Sequence, residues 1–377
     1  MSEQDDLTAR FAFLTEADRL KSVDRANVLM DLSRPENSAE HSWHVALYAL
    51  VFGGSDRALA MILIHDLVEI DCGDHPIHLE HDQPAVEAAE LAAARRLFGM
   101  LPGGAGLLAL WQEFEVGQTD DARFAKRMDH VQPLFQVVHA PEPLPEHLRI
   151  ARENMGSGRC ARLWQEWPEA MAAGQAALDG QPIPEAMAGR LAFLAEADRL
   201  KSIYRASPLC DASRRENSAE HSWHLALYAL VMAPLAGPEV DIGRVIRMLI
   251  LHDLVEIDAG DVPIHAANGA AHHGAAQLAA ELAAAERLFG LLPQPLAAEL
   301  RALWDEFEAN ATPDAVFAKA LDRAQPVMQN IASGGGSWID YQVTYEQLAE
   351  RVGSRIARGA PRLWDWLSAG AQVYFGR

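Results

Sequence analysis

The sequence predicts an all-α fold of two tandem helical bundles packed as a pseudo-dimer, and three observations predict it. First, the chain repeats itself: ENSAEHSWH followed downstream by HDLVEID occurs within residues 36–71 and again within 216–258. From Leu14 to Val51 against Leu194 to Val231, 29 of 38 positions are identical at a constant offset of 180. Second, AVEAAELAAARRLFGML and AAQLAAELAAAERLFGLL are rich in Ala, Leu, Glu and Arg, with apolar residues returning every three or four positions. That period is the signature of an amphipathic helix. Third, alternating strand patterns are hard to find anywhere in the chain.

Taken in order, each half reads as about five to seven helices. The offset between copies grows from 180 to 187 at Met61–His78 against Met248–His265, then to 191 at Leu91 and 193 at Phe124. Insertions therefore fall between the matched blocks, where loops absorb them. The period is too long for a solenoid of small repeats, so two fused copies of one domain are expected, residues 1–180 and 181–377. The boundary is placed in GQAALDGQPIPEAMAG, residues 174–189, where Gly, Pro and small residues interrupt the pattern. Each half is long enough to bury its own core.

Composition narrows the function. The formal net charge of −21 repels a polyanion over most of the surface, which excludes nucleic-acid polymers as expected partners. No apolar run approaches the roughly 20 residues of a membrane-spanning helix, and MSEQDDLTAR carries no signal-peptide core. A cytoplasmic protein without a membrane partner is expected. Cys72, Cys160 and Cys210 show no C-x-x-C spacing and read as ordinary thiols.

On the helical reading, the repeated motif acquires a geometry. His65, Asp66 and Glu69 lie in ILIHDLVEI, where spacings of three and four place Glu69 on the face of the doublet. Burying an ionised carboxylate among Ile, Leu and Val is costly unless it is paired or binds a metal. His41, on the preceding helix AEHSWHVALYALV, and Asp129, in FAKRMDHVQP, can complete a mixed nitrogen and oxygen site for a divalent first-row metal. The second copy repeats the set as His221, His252, Asp253 and Asp322, with Glu256 matching Glu69. Trp43, Trp223, Trp111 and Trp304 read as core residues. His44 and His224 read as packing residues or as neighbours of a ligand.

With these residues in view, the chain resembles the HD-domain metal-dependent phosphohydrolases. The contexts AEHSW, HDLVEIDxGD and FAKxxD are most similar to their 5'-deoxynucleotidase-like branch. The resemblance covers about residues 11–133 and 191–377. It implies one divalent ion per HD domain (Mn, Co, Mg, Zn, Ni or Fe), held by His41, His65, Asp66 and Asp129 and by His221, His252, Asp253 and Asp322. It implies that Glu69 and Glu256 orient or deprotonate the attacking water or assist the leaving oxygen. Asp74 and Asp261 would contact a sugar hydroxyl. Arg25 and Arg205, with Lys21 and Lys201 one turn earlier, would bind phosphate oxygens. The implied activity is hydrolysis of a small phosphomonoester, foremost a deoxynucleoside 5'-monophosphate, by a chain whose intramolecular pseudo-dimer is compatible with a monomer.

Two features depart from the pattern. Ala26 and Ala206 stand where nucleotidase relatives carry an aromatic residue beside the base. SGGGSW, residues 333–338, follows the last ligand helix only in the second half, where the first half reads VVHAPEP; it is expected near the site or the domain interface. Two alternatives use the same residues. One is a di-iron oxygenase that recruits His78 and His265. The other is one catalytic half with a structural or ligand-sensing pseudo-enzyme.

Overall fold

The computed structural model describes residues 3–76, 79–266 and 274–376. The first half contains α1 (Glu3–Ala17), α2 (Ser38–Val51), α3 (Asp56–Ile64), the short α4 (Glu69–Cys72), α5 (Gln83–Phe98), α6 (Ala105–Val116), α7 (Asp120–His139), α8 (Pro145–Gly156), the short α9 (Leu163–Glu166) and α10 (Pro168–Leu178). The second half begins with α11 (Glu185–Ala197), α12 (Ser218–Met232), α13 (Ile242–Leu251), the short α14 (Glu256–Ala259), α15 (Ala275–Phe289), α16 (Leu296–Ala309) and α17 (Pro313–Ala332). It closes with the short α18 (Ser337–Asp340) and α19 (Tyr345–Leu348), then α20 (Ser354–Gly359) and α21 (Pro361–Tyr374). The fold is all-α as expected. Among the described residues the first half has eight helices of nine or more residues, one above the expected range. No helix of the described residues is long and apolar enough to cross a membrane.

Two small hairpins depart from the sequence expectation. Strand β1 (Asp24–Val28) pairs antiparallel with β2 (Pro35–Asn37), and β3 (Tyr204–Pro208) pairs with β4 (Arg215–Asn217). Their sequences, DRANV with PEN and YRASP with REN, carry too few apolar residues to show an alternating pattern. Each hairpin runs straight into a helix whose start is fixed twice over. Asn37 caps α2 through the Glu40 N–H while the Glu40 side chain accepts from the Asn37 N–H, and Asn217 and Glu220 repeat this capping box on α12.

Helices α2 and α12 form the centre of the molecule. Every residue of α2 is buried, its polar Glu40, His41 and His44 being taken up by the capping box, the donor cluster and the interface, and α2 packs against both α12 and α13 of the other half. Polar ties cross this contact in symmetric pairs. The Trp43 indole donates to the Ile250 carbonyl (3.0 Å) and the Trp223 indole to that of Leu63 (3.1 Å). His44 Nε2 donates to the Leu194 carbonyl and His224 Nε2 to that of Leu14, both at 3.0 Å. The Asn37 amide donates to Glu220 and the Asn217 amide to Glu40. Paired reciprocal contacts of this kind are what a twofold interface produces. His44 and His224 are therefore interface residues, and the Trp residues are core.

Candidate metal centre and active site

His41 projects from the first turn of α2, His65 and Asp66 from the chain directly after α3, and Asp129 from the middle of α7. The doublet does not sit in an α-helix as the sequence suggested: residues His65–Val68 form a 3-10 turn before α4. In that tighter helix residues three apart eclipse, so Glu69 still follows Asp66 on one face. The Trp111 indole donates to the His65 carbonyl at 3.1 Å and pins the turn.

The donor atoms converge. His41 Nε2 lies 3.0 Å from Asp129 Oδ1 and 3.8 Å from Asp66 Oδ2; His65 Nε2 lies 3.2 Å from Asp66 Oδ1 and 3.7 Å from Asp129 Oδ1. His65 Nδ1 faces the Ile62 carbonyl at 2.7 Å. A carbonyl only accepts, so the ring proton belongs on Nδ1 and Nε2 presents a lone pair to two carboxylates. That buried Nε2 has no hydrogen-bond partner. A lone pair aimed at carboxylate oxygens is repulsive unless a cation lies between them, and this donor set suits a divalent ion. Electrostatics agree. Burial and then Arg25 pull the His41 imidazole down, yet Asp129 and Glu36 outweigh both and hold it up at about 9.

The second half repeats the arrangement. His221 Nε2 is 3.5 Å from Asp322 Oδ1 and 3.9 Å from Asp253 Oδ2, and His252 Nε2 is 3.0 Å from Asp253 Oδ1. His252 Nδ1 donates to the Leu249 carbonyl at 2.8 Å, and the Trp304 indole holds the His252 carbonyl at 3.2 Å. The Nε2 atoms of His221 and His252 are both buried without a hydrogen-bond partner.

Each hairpin brings an arginine to the rim of its cluster. Arg25 Nη1 lies 2.9 Å from Asp66, 3.5 Å from Glu69 and 3.8 Å from Asp74. Arg205 Nη1 lies 2.6 Å from Asp253, 3.6 Å from Glu256 and 4.0 Å from Asp261. The Ser38 hydroxyl donates to Glu69 and the Ser218 hydroxyl to Glu256. Burial, then the Asp66 carboxylate, push the Glu69 carboxyl well above the usual carboxylate range against the pull of Arg25. Glu256 is raised in the same way by burial and Asp253. Both clusters open into cavities, of about 1000 Å³ in the first half and about 620 Å³ in the second.

Comparison with known proteins decides the family. A profile of the HD domain matches residues 17–171 and again 197–364. The chain belongs to the HD-domain family of metal-dependent phosphohydrolases. It is similar to 5'-deoxynucleotidase HDDC2 of Mus musculus, 28% identical over 144 residues, which span 38% of this chain and 68% of the relative. The human protein of that name is 28% identical over 141 residues, 37% of this chain and 65% of the relative. A fission-yeast 5'-deoxynucleotidase, hdd1, is 24% identical over 138 residues, 36% of this chain and 68% of the relative. Among solved structures, a predicted metal-dependent phosphohydrolase from Magnetospirillum magnetotacticum is 46% identical. It covers 50% of this chain and 94% of its own, with a TM-score of 0.46.

The structure corrects one part of the expected HD-domain site. Lys21 and Lys201 do not line the cavities and cannot reach a phosphate there. Both are buried between the two domains: Lys21 Nζ binds Asp18 and Glu216 at 2.5 Å each, and Lys201 Nζ binds Asp198 at 2.5 Å and Glu36 at 2.7 Å. Two further acidic clusters with metal-like spacing, Asp18 with Glu216 and His224 and Glu36 with His44 and Asp198, are thus lysine sites. Their ammonium groups supply the positive charge.

His265 lines the second cavity 3.5 Å from Arg351, outside both clusters of converging donors. Burial, then Arg351, hold its ring down at about 4. His78 lies outside the described residues. His75 and His81 meet ring to ring at 5.2 Å, as a loop cluster.

Sequence reasoning missed Gln132 and Gln325, whose Oε1 atoms face Nδ1 of His41 and His221 at 3.0 and 3.1 Å. The signal was available, because the Gln-Pro pair survives in both FAKRMDHVQP and FAKALDRAQP. It also missed the outer walls, which differ between the domains. The first cavity is faced by His147, Ile150, Arg159 and Arg162; the second by Trp338, Tyr341, Val352 and Arg355.

The SGGGSW segment makes part of that difference. Asn330 Oδ1 accepts from the Ser337 N–H at 2.7 Å, folding the segment so that Ser337 and Trp338 line the second cavity. Gly336 has φ +41, and a Cβ there would stand 2.5 Å from Asn330 Oδ1 and 2.8 Å from Pro208 Cγ. Gly336→Ala is expected to lose at least about 1–3 kcal/mol in urea unfolding, the strain of a sparsely populated backbone conformation, because φ +41 with ψ −123 suits glycine and the added Cβ meets Asn330 and Pro208. It should reshape the second cavity, which Ser337 and Trp338 line, and leave the first unchanged.

Proposed function

We propose that the chain hydrolyses small phosphomonoesters, with deoxynucleoside 5'-monophosphates as leading substrates, at two sites lying in domains 1–180 and 181–377. The proposed domain boundary is the break between α10 and α11, residues 179–184. The proposed ligands are His41, His65, Asp66 and Asp129, and in the second domain His221, His252, Asp253 and Asp322. The observation that carries the reading is the set of buried Nε2 lone pairs aimed at two carboxylates beside an arginine and a high-pKa glutamate. An ion bound there supplies Lewis acidity to a phosphoryl oxygen and acidifies water. No nucleic-acid polymer is needed as a partner.

The chain's own residues divide the remaining work. Arg25, held by three carboxylates, is oriented before substrate arrives, and its planar fork suits phosphate oxygens. A phosphate on Arg25 displaces part of its grip on Asp66, so substrate replaces carboxylate rather than solvent. Glu69, whose carboxyl burial and Asp66 hold above the usual carboxylate range and which Ser38 fixes, would donate to the leaving sugar oxygen. Asp74, which accepts from the Ala26 N–H at 3.3 Å, would accept from a sugar hydroxyl. Arg205, Glu256, Ser218 and Asp261 take the same parts in the second domain. There Tyr341 on the cavity wall offers an aromatic surface to a base that Ala206 does not.

The test is phosphate release from nucleoside, deoxynucleoside and sugar monophosphates after metal stripping and add-back of Mn²⁺, Co²⁺, Mg²⁺ or Zn²⁺. Metal-dependent turnover favouring deoxynucleotides supports the reading; silence with every metal removes it. Replacing both glutamates, Glu69→Gln with Glu256→Gln, is expected to lower kcat by about 10²–10⁴ with bound metal unchanged. An unaltered kcat would remove their proton-transfer role.

A further inference from the structure

We infer that the two metal centres are cross-supported: each domain supplies a buried lysine that positions a histidine ligand of the other. The inference rests on the ligand sets proposed above. Lys21, from the first domain, reaches across the interface to Glu216 Oε1 at 2.5 Å, and Glu216 Oε2 lies 3.2 Å from Nδ1 of His221. In mirror image, Lys201 reaches Glu36 Oε1 at 2.7 Å, and Glu36 Oε2 lies 3.6 Å from Nδ1 of His41. The lysine-bound Oε1 atoms also accept from the glutamines that face these rings. Gln325 donates to Glu216 at 2.9 Å and Gln132 to Glu36 at 3.3 Å.

The physical chain is short. Glu36 and Glu216 are wholly buried, and a buried carboxylate persists only with a compensating cation and hydrogen bonds. Among the described residues, the ammonium within hydrogen-bond reach of each glutamate comes from the opposite domain. With its charge held, the glutamate fixes the amide of its glutamine, whose Oε1 is the acceptor at Nδ1, and its own Oε2 faces the ring as a negative charge. The proton stays on that nitrogen and the Nε2 lone pair turns toward the cluster, the arrangement by which an outer carboxylate orients a metal-bound imidazole. Lys21 and Lys201 are positioning residues. They touch neither the cavities nor the converging donor atoms. Their partners Asp18 and Asp198 hold the interface from the other side, accepting from the Cys210 N–H at 2.7 Å and the Met30 N–H at 2.9 Å.

The test reads metal affinity, not turnover. In full-length protein with Asp66→Ala, only the second site remains, and Mn²⁺ affinity is measured by chelator competition with Lys21→Met or Lys201→Met added. Lys21→Met should weaken Mn²⁺ by about 10- to 100-fold, the usual effect of removing an outer partner of a metal ligand; Lys201→Met should leave it within about twofold. In the Asp253→Ala background the two should exchange roles. Equal losses from both lysine variants, or no loss from either, overturn the cross-support and assign the lysines to interface packing alone. Should Lys21→Met fail to fold, Lys21→Gln and Lys201→Gln take its place: each must weaken only the site whose histidine lies in the opposite domain, and an equal effect on both sites overturns the inference. If the unaltered chain binds no Mn²⁺ or other divalent ion, the metal reading itself falls. A chain that binds metal yet shows no crossed dependence loses only this inference.

Discussion

The double variant Asp66→Ala with Asp253→Ala is expected to lose all specifically bound divalent metal and at least about 10³-fold in phosphate release, the scale on which electrostatic stabilisation acts in enzyme sites. Each carboxylate lies within 4 Å of both histidine donors of its cluster and of the rim arginine, so its loss removes one of the two carboxylates that face those nitrogens and leaves Asp129 or Asp322 alone with them. Single variants separate the domains. If both are active, each single change removes about half the metal and leaves the other cavity's substrate profile. If Asp253→Ala abolishes turnover while Asp66→Ala does not, the first domain is a supporting partner that no longer catalyses. Metal analysis of the stripped and reloaded proteins, beside rates with each monophosphate, decides between these outcomes. Retention of full metal content by the double variant would remove the proposed ligands.

The convergence of His41, His65, Asp66 and Asp129 was legible because their surroundings survive in both copies while the loops between them drift. What was not legible follows from physics that sequence alone does not display. A lysine one turn before an arginine reads as a basic stretch whether it faces a substrate or another domain. Only the position of Glu216 and Glu36 across the interface shows that Lys21 and Lys201 belong there. The 3-10 turn at His65–Val68 is hidden because spacings of three suit both helix types. The hairpins that aim Arg25 and Arg205 are too short and polar to display a period. The outer walls in which the two cavities differ come from residues 146–166 and 337–355, where the copies no longer match, so comparing them could identify neither Arg159 nor Tyr341.

Separating the domains should produce the second large effect. Expressed alone, residues 1–180 would expose the face of α2 that α12 and α13 now cover, and with it Trp43 and an apolar surface of the kind that drives association. The bonds that tie this face to the other domain would lose their partners: Trp43 to Ile250, His44 to Leu194, and Glu36 to Lys201. Unpaired buried charge costs about 3–5 kcal/mol, a large part of the roughly 5–15 kcal/mol that holds a domain folded. The repeat offers a remedy. A second copy of the fragment carries the equivalent groups: Leu63 stands for Ile250, Leu14 for Leu194, Lys21 for Lys201 and Glu40 for Glu220. The expected result is therefore a homodimer, in which Lys21 of each copy binds Glu36 of the other. Light scattering during gel filtration should return twice the fragment mass, and Lys21→Met in the fragment should shift it toward monomer or aggregate. A well-folded monomer that keeps its metal would show that the interface is dispensable for the first site, and with it the dependence of Glu36 on the opposite lysine.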